Sequence, residues 1–132
     1  MGSFSDYAEN KILDHIVGKT SFTMPTHSWL ALFVGDPLDT GAGGAEVSGG
    51  SYARVETAGS DWDAASEGAT ANAAAIAFAE ASGAWGTVTN FALFDALTAG
   101  NLLAHGALTT AKAITTGDTP SFAIGDLDIT LD

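Results

Sequence analysis

Near the N-terminus the apolar positions recur at helical spacing. Ala8, Ile12 and Ile16 fall at i, i+4 and i+8, with Leu13 and Val17 beside them, so a helix over residues 5–18 gathers all five on one face. Ser5 or Asp6 is placed to cap its start, and Glu9, three residues past Asp6, supplies a capping-box-like partner. Gly18 suits the left-handed position after the last turn, and Lys19 complements the negative end of the helix dipole. Phe4 and Tyr7 stand at the entry, where they either pack on the body or anchor the arm to a neighbouring subunit. Thr20 to Pro25 reads as a connector.

Beyond the connector the pattern shortens. Trp29 to Val34 is a continuous apolar run bounded by Pro25 and by Gly35-Asp36-Pro37, the length of a buried strand. Residues 35–51 read as one long loop, of a kind that usually functions or is held by a partner. Tyr52 to Thr57 reads as a strand with Tyr52, Arg54 and Glu56 on one side, and Gly59 to Thr70 as a second polar loop. Residues 71–80 are Ala-rich, which favours a helix by propensity, yet Ile76 and Phe78 alternate with alanines, so a strand is predicted. Val88 alternates with threonines, Phe91 and Leu93 continue at period two, and Phe94 turns to the other face. After the turn at Ala99-Gly100-Asn101, residues 102–108 return as a hairpin arm. Lys112 to Ile114 and Ser121 to Ile124 are short. Leu127, Ile129 and Leu131 point inward from a last strand, with Asp128 and Thr130 outward. Seven or eight short strands with frequent turns predict a mainly β fold: an antiparallel β-sandwich or small barrel with one N-terminal amphipathic helix. Residues 1–132 read as a single domain, 1–25 being the helix and connector and 26–132 the β-sandwich. No internal repeat or domain linker breaks it.

Composition narrows the chemistry. A chain of 132 residues suffices for one core. Only 15% of residues are charged, so much of the surface is Ala, Gly, Ser and Thr. The net charge of −12 repels phosphate backbones and anionic membranes, which argues against nucleic acid and membrane as partners. Without cysteine there is no disulfide, thiolate catalysis or Cys-ligated zinc. No apolar run approaches a membrane span, and no basic segment followed by an apolar stretch predicts a secretory leader.

No catalytic constellation emerges. His15, His27 and His105 share no metal-ligand spacing and read as ordinary structural or surface histidines. No Gly-x-Ser-x-Gly elbow occurs. Gly41-Ala42-Gly43-Gly44 has the glycines of a phosphate loop but neither its lysine nor a following helix. The carboxylate pairs Asp36/Asp39, Asp61/Asp63 and Asp126/Asp128 could ligate calcium, but none continues into a calcium-loop pattern, and turn capping accounts for them. Trp62, between two aspartates in a polar loop, either folds back on the core or anchors an interface. Arg54, the only arginine, bonds a carboxylate across an interface or neutralises Glu56 in its own chain. The candidate interface residues are therefore Phe4, Tyr7, Ile12, Ile16, Arg54 and Trp62. No cofactor, metal or catalytic residue is expected.

The Phe4–His15 helix, Gly18-Lys19-Thr20, Trp29–Phe33, Asp36-Pro37, Glu46–Arg54, Trp85–Thr89, Phe94-Asp95-Ala96, Gly100–Leu103, Gly106–Leu108, Gly117-Asp118 and Gly125–Leu127 together resemble a family of small virion proteins of tailed bacteriophages. Members are often labelled tail fibre protein, and some are similar to capsid cement or decoration proteins that sit as trimers on the head shell. The resemblance covers nearly the whole chain. It implies no enzyme but a structural virion protein that cements the outside of the head. The major capsid protein and further copies of itself, as a homotrimer, would be its partners. Its place would be the capsid surface, after assembly in the host cytoplasm. The alternative is a tail-tip or fibre-associated protein that contacts the host, against which stands the lack of heptads or repeats for a shaft.

Overall fold

A computed structural model describes residues 2–131. The predicted helix is there as α1 (Asp6–Ile16), and Ser5 is its N-cap: the Ser5 hydroxyl accepts the Ala8 N–H at 3.2 Å. The same buried hydroxyl donates to the Leu102 carbonyl, fastening the cap to the sheet. At the other end Gly18, at φ +79°, lets its own N–H reach the His15 carbonyl and the Lys19 N–H reach that of Asp14, which stops the helix in a Schellman turn.

The strands are β1 (Gly2–Phe4), β2 (His27–Val34), β3 (Ala45–Glu46), β4 (Val55–Ala58), β5 (Ala69–Ala71), β6 (Ile76–Ala77), β7 (Gly86–Phe94), β8 (Leu102–Ile114), β9 (Ser121–Phe122) and β10 (Asp128–Thr130). Eight of them form one sheet in the order β3-β2-β7-β8-β1-β10-β5, with β4 sharing the outer edge of β2 with β3. β6 and β9 form a separate ribbon. The fold is mainly β, with one helix and open sheets, a sandwich and not a closed barrel. Outside the strands an isolated antiparallel bridge links Trp62, after the turn that follows β4, to Asn72, after β5, through the bonds Asp63 N–H to Ala71 O and Ala73 N–H to Asp61 O. The pairing is antiparallel except between β1 and β10, which run parallel.

The main core lies between sheet and ribbon. Leu30, Leu32, Val88, Phe91 and Leu93 from the long strands meet Ile76, Phe78 and Trp85 from the ribbon side. Because β-strand side chains alternate, Ala31, Phe33, Ala92 and Phe94 face the other way and, with Leu102, make a second apolar cluster on the outer face.

Several expectations are corrected. Tyr52–Arg54 precede the strand, which starts at Val55, because residues 49–51 all take left-handed φ and turn the chain sharply. Gly50 is required there, since a Cβ on it would lie 2.9 Å from Trp85 Nε1. The long loop at 35–51 is not structureless: it contains β3, and Pro37 and Val47 are buried. The second loop likewise holds β5 and a short 3₁₀ turn, Gly59–Asp61. Of the Ala-rich run 71–80 only Ile76–Ala77 is strand of its own, β6, while Ala71 ends β5; Ile76 and Phe78 are buried. Residues 102–108 and 112–114 belong to one strand, β8, whose pairing with β7 lapses between Ala107 and Lys112. Leu131 is not inward: β10 ends at Thr130, and Leu131 is 57% exposed while Leu127 and Ile129 are buried.

Candidate docking surface

The apolar stripe of α1 is split by where the helix sits. Ser5 and Ala8 seat its first turns on β8, and Ile12 is half-buried one turn on. By the last turn the stripe has passed the sheet. Leu13, Ile16 and Val17 are 61–74% exposed, and Met24 in the connector is 80% exposed. The connector is tied back where the Phe22 N–H donates to His15 Nδ1 at 3.0 Å. Between helix, connector and sheet runs an apolar groove of about 370 Å³ whose lining includes Phe4, Ile12, Phe22, Met24, Trp62 and Ile129.

Three of the six sequence candidates, Phe4, Ile12 and Trp62, thus meet in one groove. Trp62 is folded back: half-buried against the core, it donates from Nε1 to the Thr57 hydroxyl at 3.1 Å. Tyr7 lines a neighbouring depression, with the Lys11 ammonium 5.6 Å from its ring centroid. Ile16 stands on the exposed helix end. Phe22 and Met24 were not singled out by the sequence; their signal is the alternation of apolar residues within a segment classed as a connector.

Arg54 is elsewhere and is engaged inside its own chain. Its side chain is 6% exposed, Nε and Nη2 hold the two oxygens of Glu46 at 2.8 Å each, and Nη1 donates to the carbonyls of Ala96 and Ala99. Its carboxylate partner is Glu46 and not Glu56, which faces His27 at 3.1 Å. The Tyr52 hydroxyl joins this network by donating to Glu46 Oε2 and accepting the Leu32 N–H. Burial pushes the Tyr52 phenol well up; the Leu32 N–H opposes this, and the Glu46 charge adds to it.

One member of each carboxylate pair serves a turn. Asp36, Asp61 and Asp126 accept the N–H groups of Leu38, Ala58 and Ala123. Asp39, and Asp36 in addition to its turn bond, flank His105, at 2.8 Å from Nε2 and 3.3 Å from Nδ1, and pin the 35–44 loop to the outer face of β8. Among the described residues no group of three or more His, Asp or Glu side chains could hold a metal ion, and no helix is long and apolar enough to cross a membrane.

Charge is distributed unevenly along the chain. Residues 1–25 carry three carboxylates against two lysines, whereas residues 26–132 carry thirteen against Arg54 and Lys112. The helical end is therefore less anionic than the rest of the chain taken together, and it carries four of the most exposed apolar side chains.

A rigid β body presenting an apolar helical face has the form of a structural module that works through contacts. The comparison of the chain with known families gives the same class, a structural protein of a phage virion. The model of one family, podophage GP4 fiber I protein gp80, matches residues 3–130, and the chain belongs to that family. A search of curated proteins finds no match.

Proposed function

We propose that this chain is a non-enzymatic structural component of the fibre apparatus of a podophage, held in the virion by the exposed face of α1. The observation that carries the reading is the row Leu13, Ile16, Val17 and Met24, open to solvent on a segment whose net charge is near zero. Exposed apolar patches of this kind mark interaction sites, and near-neutrality removes the repulsion that the rest of the surface would offer an anionic partner. The family description, which names a fibre protein, supports the placement.

Attachment to the head shell is the second reading, with the major capsid protein as partner and the chain as a homotrimer on the capsid surface. It is favoured by the compact body, which has no shaft of its own. Cryo-electron microscopy of virions with the chain tagged tests both. Density at the fibre attachment site is expected. Density distributed over the head would transfer the function to capsid cementing, and a chain missing from purified virions would overturn both readings.

A further inference from the structure

Of the three histidines only His105 is buried, at 8% exposure, on the outer face of β8 beside Ala92 of β7 and Ser3 of β1. Both of its ring nitrogens meet a carboxylate of the same loop. Nε2 lies 2.8 Å from Asp39, and Nδ1 lies 3.3 Å from Asp36. A neutral imidazole carries a single N–H. It could keep Asp39 as acceptor, but it would then turn an unshared electron pair on the charged Asp36 oxygen. Only the imidazolium offers a proton to each side.

The elements packed around His105 bring acids and not a second cation. Ala92 and Ser3 are uncharged, the 35–44 loop holds no lysine or arginine, and the first turn of α1 adds Asp6 and Glu9. Lys11, further along α1, lies by the Tyr7 ring, and Lys112 stands toward the other end of β8.

The loop itself has a conformation that must be held. Gly35, Gly41 and Gly44 take left-handed φ, and so does Leu38, at +64°, where a side chain is strained. Uncharged contacts tie it down: the Gly35 N–H donates to the Thr89 hydroxyl, Pro37 is buried, and the Asp39 carbonyl accepts the Asp6 N–H at 3.1 Å. Among the described residues its ion pairs are those with His105. Gly41 lies against Leu102, where a Cβ would come 3.6 Å from the Leu102 Cβ, so the closed loop covers an edge of the outer apolar cluster.

We infer that His105 is a pH-sensitive latch on this loop. Charged, it holds Asp36 and Asp39 together and the loop stays shut. Neutral, it releases Asp36, leaves two carboxylates near one another without their cation, and lets the loop open. Histidine changes charge between about pH 5 and 8, so the loop is closed at the acid end and opens as pH rises. The motion reaches the helix as well. Opening withdraws the Asp39 carbonyl from the Asp6 N–H, and so loosens the first turn of α1. The latch is built into the chain itself and stands whether or not a virion holds α1.

Nuclear magnetic resonance of the purified full chain, from about pH 5 to 9, tests it by following the His105 ring nitrogens together with the Asp6, Gly41 and Gly43 amides. Amide protection, corrected for intrinsic exchange, is expected to fall about tenfold as the ring loses its proton, with one shared midpoint. His105→Gln, which carries no charge at any pH, is expected to abolish the response. His15→Gln with His27→Gln is expected to leave it as in wild type. Protection that stays level through the His105 titration overturns the latch. So does a ring that keeps one protonation state over the whole range, and so does a response that persists in His105→Gln or vanishes with His15 and His27. Should His105→Gln fail to fold, the shared midpoint in the wild-type chain decides.

Discussion

Arg54 holds its guanidinium 3.8 Å from the centroid of the Phe94 ring, so a cation roofs the outer apolar cluster while its fork grips Glu46. One side chain thereby joins three segments: the lead-in to β4, the short strand β3 and the turn after β7, whose Ala96 and Ala99 carbonyls it also binds. Arg54→Ala would strand a partly buried Glu46 and uncover Phe94, and should cost about 3–5 kcal/mol in urea denaturation. Arg54→Lys should recover less than half of that, because an ammonium cannot span both carboxylate oxygens and stack on the ring together.

Tyr52 gives the chain an alkaline limit. Its folded-state acidity is pushed well above the ordinary tyrosine value near 10, so near neutral pH folded and unfolded chains alike carry the proton. Above pH 10 the unfolded chain releases it and the folded chain does not, so stability should fall as pH rises past 10. In a Tyr7→Phe background, phenolate absorbance should stay flat beyond pH 10 and then rise together with the loss of near-ultraviolet circular dichroism. A smooth titration centred near 10 in the folded protein would contradict this.

The core strands were legible from the uninterrupted apolar run at residues 29–34 and from the period-two pattern at residues 88–94. Leu30 and Leu32 opposite Ala31 and Phe33, and Phe91 and Leu93 opposite Ala92 and Phe94, are the alternation of a sheet with apolar clusters on both faces. The helix and its ends were legible, since Ser5 and Gly18 are local signals, but of the two caps offered Ser5 is the one used, and Asp6 with Glu9 is not. Long-range partners were not. Nothing near Arg54 in the chain distinguishes Glu46 from Glu56, and only the turn at residues 49–51, which delays β4, decides between them. Asn72 was missed for the same reason. Set among alanines it carries no pattern, yet it is fully buried and bonds Ala74, Ala123 and Leu127, holding the start of β10 to the end of β5. Of the candidate site, the residues on the helix face were readable; which of them the sheet covers was not.

The last strand allows a direct check of that boundary. Ile129→Ala empties a buried position between β1 and β5 and should cost about 2–5 kcal/mol. Leu131→Ala, one residue past β10 and open to solvent, should change stability by no more than about 0.5 kcal/mol. Comparable losses in urea denaturation would mean that the strand continues inward through Leu131.

The helix stripe offers the corresponding check on function. Ile12 and Ile16 are one turn apart and share a face, but Ile12 lines the apolar groove and Ile16 projects past it. Glutamine has good helix propensity and no charge, so it changes the surface chemistry without opposing the helix dipole. Ile12→Gln should lower stability by about 1–3 kcal/mol, the cost of bringing an amide into an apolar site without a partner. Ile16→Gln with Val17→Gln should leave urea and thermal unfolding within about 0.5 kcal/mol of wild type. If the exposed turn is what the virion holds, that double variant should nonetheless be lost from purified particles, as read by quantitative mass spectrometry against the major virion proteins. Normal occupancy by a fully stable double variant would remove α1 from the attachment surface. Lost occupancy accompanied by lost stability would show instead that the turn belongs to the fold.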